Sequence, residues 1–203
     1  AMASANAPQV YWEKVEVPNA SFEMPVEKSL IPGWTGIIGA QGASGSVTMS
    51  SENASEGACS VRLMDEEANA SIEIRSERIE ATPGVFYTAA ADVFIESGIG
   101  ISACLYMEFW DSENRVIETA RQRCNPQEPN IDQGTYAITS LINGQEWHHI
   151  MAQAHAPEGT VVLTIKLVST VANVGVSYWD NVRLFRLDEA KLELELKPTL
   201  GWA

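Results

Sequence analysis

The stretch Val176–Leu187, VSYWDNVRLFRL, decides how this chain reads. Val182 and Leu184 recur at every second position with Arg183 and Phe185 between them, the period of a half-buried strand. In that phase Asp180 falls in step with Val182 and Leu184, so its carboxylate is expected to face the core. A buried carboxylate costs free energy unless something pairs with it. The stretch therefore predicts a β fold and poses a question: what does Asp180 meet?

Working outward, the same period recurs along the chain. It appears in ACSVRLM (58–64), SIEIRSERI (71–79), VFYTAAADVFI (85–95), GISACLYMEFW (100–110), WHHIMAQAHA (147–156) and TVVLTIKLVS (160–169). Turn signals separate these runs: TPG (82–84), ESG (96–98), DSEN (111–114), PEG (157–159) and NVG (173–175). No long segment carries a 3.6-residue period. Short strands at this spacing predict an all-β fold, an antiparallel β-sandwich whose two sheets are each apolar on the inner face. The polar connection 111–134 is long for such a sandwich and is expected to be functional or an interface element.

Composition narrows the function. The chain has 203 residues, 45% of them hydrophobic, and a formal net charge of −14. That balance repels nucleic acid and anionic membranes, so neither is expected as a partner. No run approaches the roughly 20 apolar residues of a membrane span. The opening AMAS reads as a cloning remnant, which leaves room for a signal segment ahead of it. The three cysteines, Cys59, Cys104 and Cys124, fit no zinc spacing.

Several short motifs follow in order: VPNASFE (17–23), PGW (32–34), ASEGACSVRL (54–63), TPGVFYT (82–88), FWDSENRVI (109–117), APEGT (156–160) and YWDNVRL (178–184). In this order they resemble the carbohydrate-binding modules with a jelly-roll β-sandwich, the group that includes families four, nine, sixteen and twenty-two. The resemblance spans residues 17–187, departing at Cys59, where only the small residues of the stretch remain. It implies three parts: an N-terminal extension or edge strand (1–16), the carbohydrate-binding sandwich (17–187), and a C-terminal edge strand or linker (188–203).

The resemblance also implies one structural calcium ion, held by Glu23 and Asp180. Backbone oxygens near Asn19–Ser21 and from the turn 50–57 would complete the shell. A hard dication with six to eight oxygen ligands would relieve the repulsion between two carboxylates. The competing partner for Asp180 is a basic side chain such as Arg62.

A sugar presents C–H faces to aromatic rings and hydroxyl edges to planar polar groups. On the strand 100–110, Leu105, Met107 and Phe109 share one face, and Tyr106, Glu108 and Trp110 share the other. That second stripe is the expected ligand platform. Arg75 and Glu73, Gln153 and His149, and Thr164 and Lys166 are expected to extend it, with Tyr136 at its rim. Trp34 and Trp147 are expected to plug the core.

The expected function is a non-catalytic carbohydrate-binding module that attaches a secreted polysaccharide-degrading enzyme to its glycan. Such a module would be extracellular, monomeric and tethered to a catalytic domain, with a polysaccharide or oligosaccharide as partner. Two alternatives stand beside it. One is a jelly-roll lyase or hydrolase, with Glu73 and Glu108 as paired carboxylates or Arg75, Tyr106 and His149 as a lyase set. The other is a structural or adhesion module without a sugar site.

Overall fold

A computed structural model describes residues 12–39, 43–118, 134–139 and 146–187. Twelve strands follow one another: β1 (Glu13–Val15), β2 (Trp34–Ile38), β3 (Gly45–Ser50), β4 (Ser60–Asp65), β5 (Ile72–Ser76), β6 (Ile79–Glu80), β7 (Phe86–Ser97), β8 (Ala103–Trp110), β9 (Tyr136–Thr139), β10 (Trp147–His155), β11 (Val162–Ser169) and β12 (Gly175–Leu187). No α-helix occurs among the described residues. Each long alternating run of the sequence is a strand.

The strands make two antiparallel sheets. The first runs β10-β7-β12-β4-β3, with β1 added beside β12. The second runs β2-β5-β11-β8-β9, with β6 beside β11. The chain repeatedly crosses from one sheet to the other, as at β4–β5, β7–β8, β10–β11 and β11–β12. The result is a jelly-roll β-sandwich. The short strand β1 comes from the N-terminal extension: Glu13, Lys14 and Val15 lie opposite Arg186, Phe185 and Leu184. The C-terminal segment 188–203 lies outside the described residues.

Inward side chains of both sheets interlock. Val61, Leu63, Ala89, Ala91, Val93, Trp179 and Leu184 from the first meet Ile72, Ile74, Leu105, Met107, Phe109, Ile165 and Leu167 from the second. Burying each large apolar side chain contributes about 1.5–3 kcal/mol, and the alternation delivers one at every second position. Trp34 is buried with its ring 5.1 Å from Phe22 and plugs one end of the core. Trp147 does not plug the core. It is half-buried on the outer face of the first sheet, against Phe94 at 5.8 Å, because the inward positions of β10 are Ile150 and Ala152.

The stretch 176–187 holds a second correction. Its two halves are out of phase. Trp179 is a core residue opposite Val93, and Asp180 pairs with Asp92. A register shift then falls between Asp180 and Arg183, with Asn181 at φ 48°. Beyond this bulge Val182 and Leu184 turn inward. Asp180 is therefore fully buried, yet it does not share the inward phase of Val182 and Leu184. It is covered by the turn 53–59.

Candidate functional site

The outer face of the second sheet carries a continuous set of aromatic and charged side chains. Strand pairing puts them there. Across neighbouring strands, Thr35, Arg75, Lys166, Tyr106 and Tyr136 are directly opposed, forming one row over β2, β5, β11, β8 and β9. Thr164 lies opposite Glu108, and Trp110 opposite Val162, in the same outward phase.

Contacts follow from the register. The rings of Tyr106 and Tyr136 stack at 5.2 Å and 22°. The ammonium of Lys166 lies 4.8 Å from the centre of the Tyr106 ring. Glu108, buried at 5% exposure, accepts a hydrogen bond from Arg75 Nε at 2.9 Å and lies 3.6 Å from Lys166 Nζ. Lys166 also reaches Glu73 at 3.5 Å. The Trp110 indole donates its N–H to Thr164 at 2.8 Å. The guanidinium groups of Arg75 and Arg78 approach that ring at 5.4 and 5.2 Å. The Tyr106 and Trp110 rings are thus held by cationic or polar neighbours, and Tyr136 is held by stacking on Tyr106. Such anchoring fixes the rings before a ligand arrives and lowers the ordering cost of binding.

Five of the six expected ligand contacts, Trp110, Tyr106, Glu108, Arg75 and Tyr136, come together here, and Thr164, Lys166 and Glu73 join them. Gln153 does not. It lies on β10 of the other sheet, opposite Thr88, with His149 two rows along. Alternation tells inside from outside; it does not tell one sheet from the other.

Asp180 meets backbone amides. Its Oδ2 accepts from the N–H groups of Ser55 at 2.8 Å and Glu56 at 2.9 Å, and from Ser55 Oγ at 3.3 Å. Its Oδ1 accepts the N–H of Asn181 at 2.6 Å. Burial pushes its carboxyl above the usual range, and these hydrogen bonds pull part of the way back. Glu23 closes on the same turn, where its Oε1 accepts from Ala58 and Cys59 N–H at 2.8 and 2.9 Å. Gly57 permits that approach: a Cβ there would collide with the Glu23 carboxylate. Arg62 is elsewhere, over the Tyr178 ring at 6.0 Å, so the basic partner considered for Asp180 is not used.

Do these groups fit a calcium ion? Among the described residues neither Glu23 nor Asp180 forms an ion pair, and Glu23 Oε2 takes no hydrogen bond. Two carboxylates with oxygen lone pairs to spare suit a hard cation. Asn19 is less suited. Its carbonyl accepts from Phe22 N–H and the Trp34 indole, and its side chain bridges Pro32 and Met24. Ser21 lies in the adjoining turn and makes no hydrogen bond among the described residues. No three acidic, histidine or cysteine side chains gather as a metal cluster among the described residues. What Glu23 and Asp180 share is the turn whose backbone amides both carboxylates accept.

The fold defines a class, the jelly-roll β-sandwich, and solved structures share it. The enzymatically active domain of tailspike protein 4 from bacteriophage CBA120 matches with a TM-score of 0.60 and 14% identity over 84% of this chain. This chain spans only 21% of that one. A cyclase from Fischerella sp. TAU matches with a TM-score of 0.60 and 15% identity, over 87% of this chain and 98% of that one. The CBM22-1 xylan-binding domain of Paenibacillus barcinonensis Xyn10C matches with a TM-score of 0.53 and 16% identity, over 87% and 96%. Neither a protein-family model nor a curated protein matches the chain. The likeness is one of fold, and the fold carries binding and catalytic proteins alike.

Proposed function

We propose that this sandwich is a non-catalytic carbohydrate-binding module. It holds a polysaccharide on the outer face of the second sheet and serves a secreted glycan-degrading enzyme as a tethered, monomeric domain. The observation that carries this reading is the anchored row Tyr136–Tyr106–Lys166 with Trp110 and Glu108 beside it. Two stacked tyrosines and an indole offer faces to sugar C–H groups. Arg75, Lys166 and the carboxylates of Glu73 and Glu108 offer donors and acceptors to hydroxyls. The xylan-binding domain among the similar structures supports a polysaccharide and puts xylan first on the panel. Affinity electrophoresis against xylan, β-glucan, mannan and pectin tests it. Wild type should be retarded on at least one gel, and Tyr106→Ala should lose most of that retardation. Retention equal in both proteins would move the site off this face.

A catalytic reading has one observation in its favour: Glu73 and Glu108 converge on Lys166. The same contact argues against it, because Lys166 engages both carboxylates and Arg75 engages Glu108 as well. Release of reducing ends or unsaturated sugars from the same panel would favour catalysis instead.

We further propose that Glu23 and Asp180 hold a calcium ion whose work is to tie the first and last segments of the sandwich. The support is a fully buried carboxylate, Asp180, compensated by three N–H groups and the Ser55 hydroxyl and by no basic side chain among the described residues. A ligand that binds only the folded state raises the melting temperature by mass action. A strong chelator should therefore lower it, and Asp180→Ala should erase the difference between chelated and calcium-loaded protein. Coincident melting curves with and without chelator would mean that the amide contacts suffice.

A further inference from the structure

The first sheet has a trough on its outer face. Along β7 the outward residues are Phe86, Thr88, Ala90, Asp92 and Phe94, so small side chains lie between two aromatic ones. Neighbouring strands raise walls beside the small floor. Gln153, Met151 and His149 of β10 lie opposite Thr88, Ala90 and Asp92. Phe185 and Arg183 of β12 lie opposite Thr88 and Ala90 on the other side. Trp12 closes one end, its ring 5.7 Å from Phe86. The trough is open to solvent along its top and has a volume of about 320 Å³. That falls at the small end of ligand sites, which run from about 300 to 1,000 Å³.

The chemistry of the lining is mixed, and its arrangement matters more than its content. At the far end Asp92 binds Arg183 Nη2 at 2.9 Å, His149 Nδ1 at 3.2 Å and Ser55 Oγ at 2.9 Å. This neutralises the guanidinium, and the imidazole itself is half-exposed. At the near end Thr88 forms the floor beside Gln153. Thr88 is 8% exposed, and its hydroxyl has no hydrogen-bond partner among the described residues. An unmade hydrogen bond on a buried hydroxyl costs free energy that a ligand can return. Turning χ1, which a strand allows, brings the hydroxyl to the trough. Polar groups thus stand at Thr88 and Gln153 and again at Asp92, with Ala90 and Met151 between them, and Phe185 and Trp12 add apolar surface at the near end.

We propose that this trough is a second ligand site, for a neutral saccharide of one or two rings. A lipid tail or a simple aryl acid needs polar groups at one end only. A sugar ring needs them around its edge and apolar surface on its faces. The floor from Thr88 to Asp92 is about 13 Å long at the usual strand rise, enough for two rings and too short for a chain. The net charge of −14 disfavours an anionic sugar. The site lies on the sheet opposite the Tyr106 platform and stands whether or not that platform binds.

Protein-observed NMR tests it. Isotope-labelled protein is titrated to millimolar xylose, glucose, galactose, mannose and cellobiose, following the Trp12 indole and Gln153 side-chain resonances. At least one sugar should shift these signals. The response should survive Tyr106→Ala combined with Tyr136→Ala. It should weaken about tenfold or more in Ala90→Leu, which fills the floor from outside the core. Phe185→Ala, which removes a wall and adds no bulk, is the second variant should Ala90→Leu fold poorly. Three results overturn the proposal: no sugar moves the signals, shifts are confined to the Tyr106 platform, or indole enters the trough while no sugar does.

Discussion

The outer faces of the two sheets solve one problem in opposite ways. Each carries a carboxylate between two basic groups. On the second sheet Glu108 lies between Arg75 and Lys166; on the first, Asp92 lies between Arg183 and His149. Around Glu108 the neighbours are large, and Tyr106, Trp110 and Tyr136 spread over the strands as a platform. Around Asp92 the neighbouring floor is small, and Thr88 and Ala90 leave a trough. The same charge motif thus serves an open surface in one case and a bounded one in the other. Which it serves depends on the size of the outward residues on the strand beside it.

The largest difference between the faces should appear on removing each carboxylate. Glu108 is 5% exposed, and its partners Arg75 and Lys166 are 28% and 10% exposed. Glu108→Ala takes the carboxylate from Arg75 and leaves Lys166 with Glu73 alone, with little water around the ammonium. Taking one partner from a fully buried pair costs about 3–5 kcal/mol, and the partial exposure of Arg75 reduces this to about 2 kcal/mol. Thermal unfolding should show a melting temperature lower by about 4–8 °C. A loss below one degree would mean that the Arg75–Glu108–Lys166 group is not held as described.

Asp92→Ala should cost less, about 1 kcal/mol, because His149 and Arg183 are 50% and 29% exposed and water replaces part of what is lost. It should also differ in its pH dependence. Burial alone would raise the Asp92 carboxyl. The hydrogen bonds from His149, Ser55 and Asn181, with the charge of Arg183, outweigh it and hold the group below its usual range. A carboxyl whose folded pKa is depressed contributes stability above its unfolded pKa and loses it as pH falls through the folded one. The stability gap between wild type and Asp92→Ala should therefore be full at neutral pH and shrink below about pH 4. A gap that widens on acidification would reverse the sign of the interaction.

How much of this was legible in the sequence depends on where alternation runs unbroken. On β5 and β8 it does, so Tyr106, Glu108 and Trp110 could be placed on one face by counting, and Arg75 on the outward side of its own strand. On β12 it does not. The bulge at Asn181 inserts a residue and switches the phase, so the same counting put Asp180 in step with Val182 and Leu184. The signal was present in the pair Asp180–Asn181, since asparagine tolerates a positive φ, but the pattern around it looks unbroken. Gln153 was misplaced for another reason. Its outward phase was read correctly, but the sheet to which β10 belongs is a matter of long-range pairing, which no local period encodes. The trough was not legible at all. Thr88 and Ala90 in TAAAD look like ordinary small residues until β10 and β12 are known to flank them.

The finest comparison uses two threonines. Thr88 and Thr164 both point outward from interior strands and are 8% and 2% exposed. The Thr164 hydroxyl accepts the indole N–H of Trp110. The Thr88 hydroxyl has no partner among the described residues. Replacement by valine keeps the shape and removes the hydroxyl, so the two variants should move stability in opposite directions. Thr164→Val strands the indole N–H and should cost about 1 kcal/mol. Thr88→Val removes an unsatisfied buried group and should leave stability unchanged or raise it by up to about 1 kcal/mol. Chemical denaturation of the two variants side by side resolves differences of this size, provided the slopes agree. The functional outcomes should cross as well. Thr164→Val frees the Trp110 ring and should weaken retention on polysaccharide. Thr88→Val should weaken the response of the trough to saccharide while the protein becomes no less stable. A residue that costs stability where it stands, and whose removal costs binding, is held there by the ligand. If Thr88→Val instead destabilises the fold as Thr164→Val does, the Thr88 hydroxyl already has a structural partner, and the trough loses its strongest polar contact.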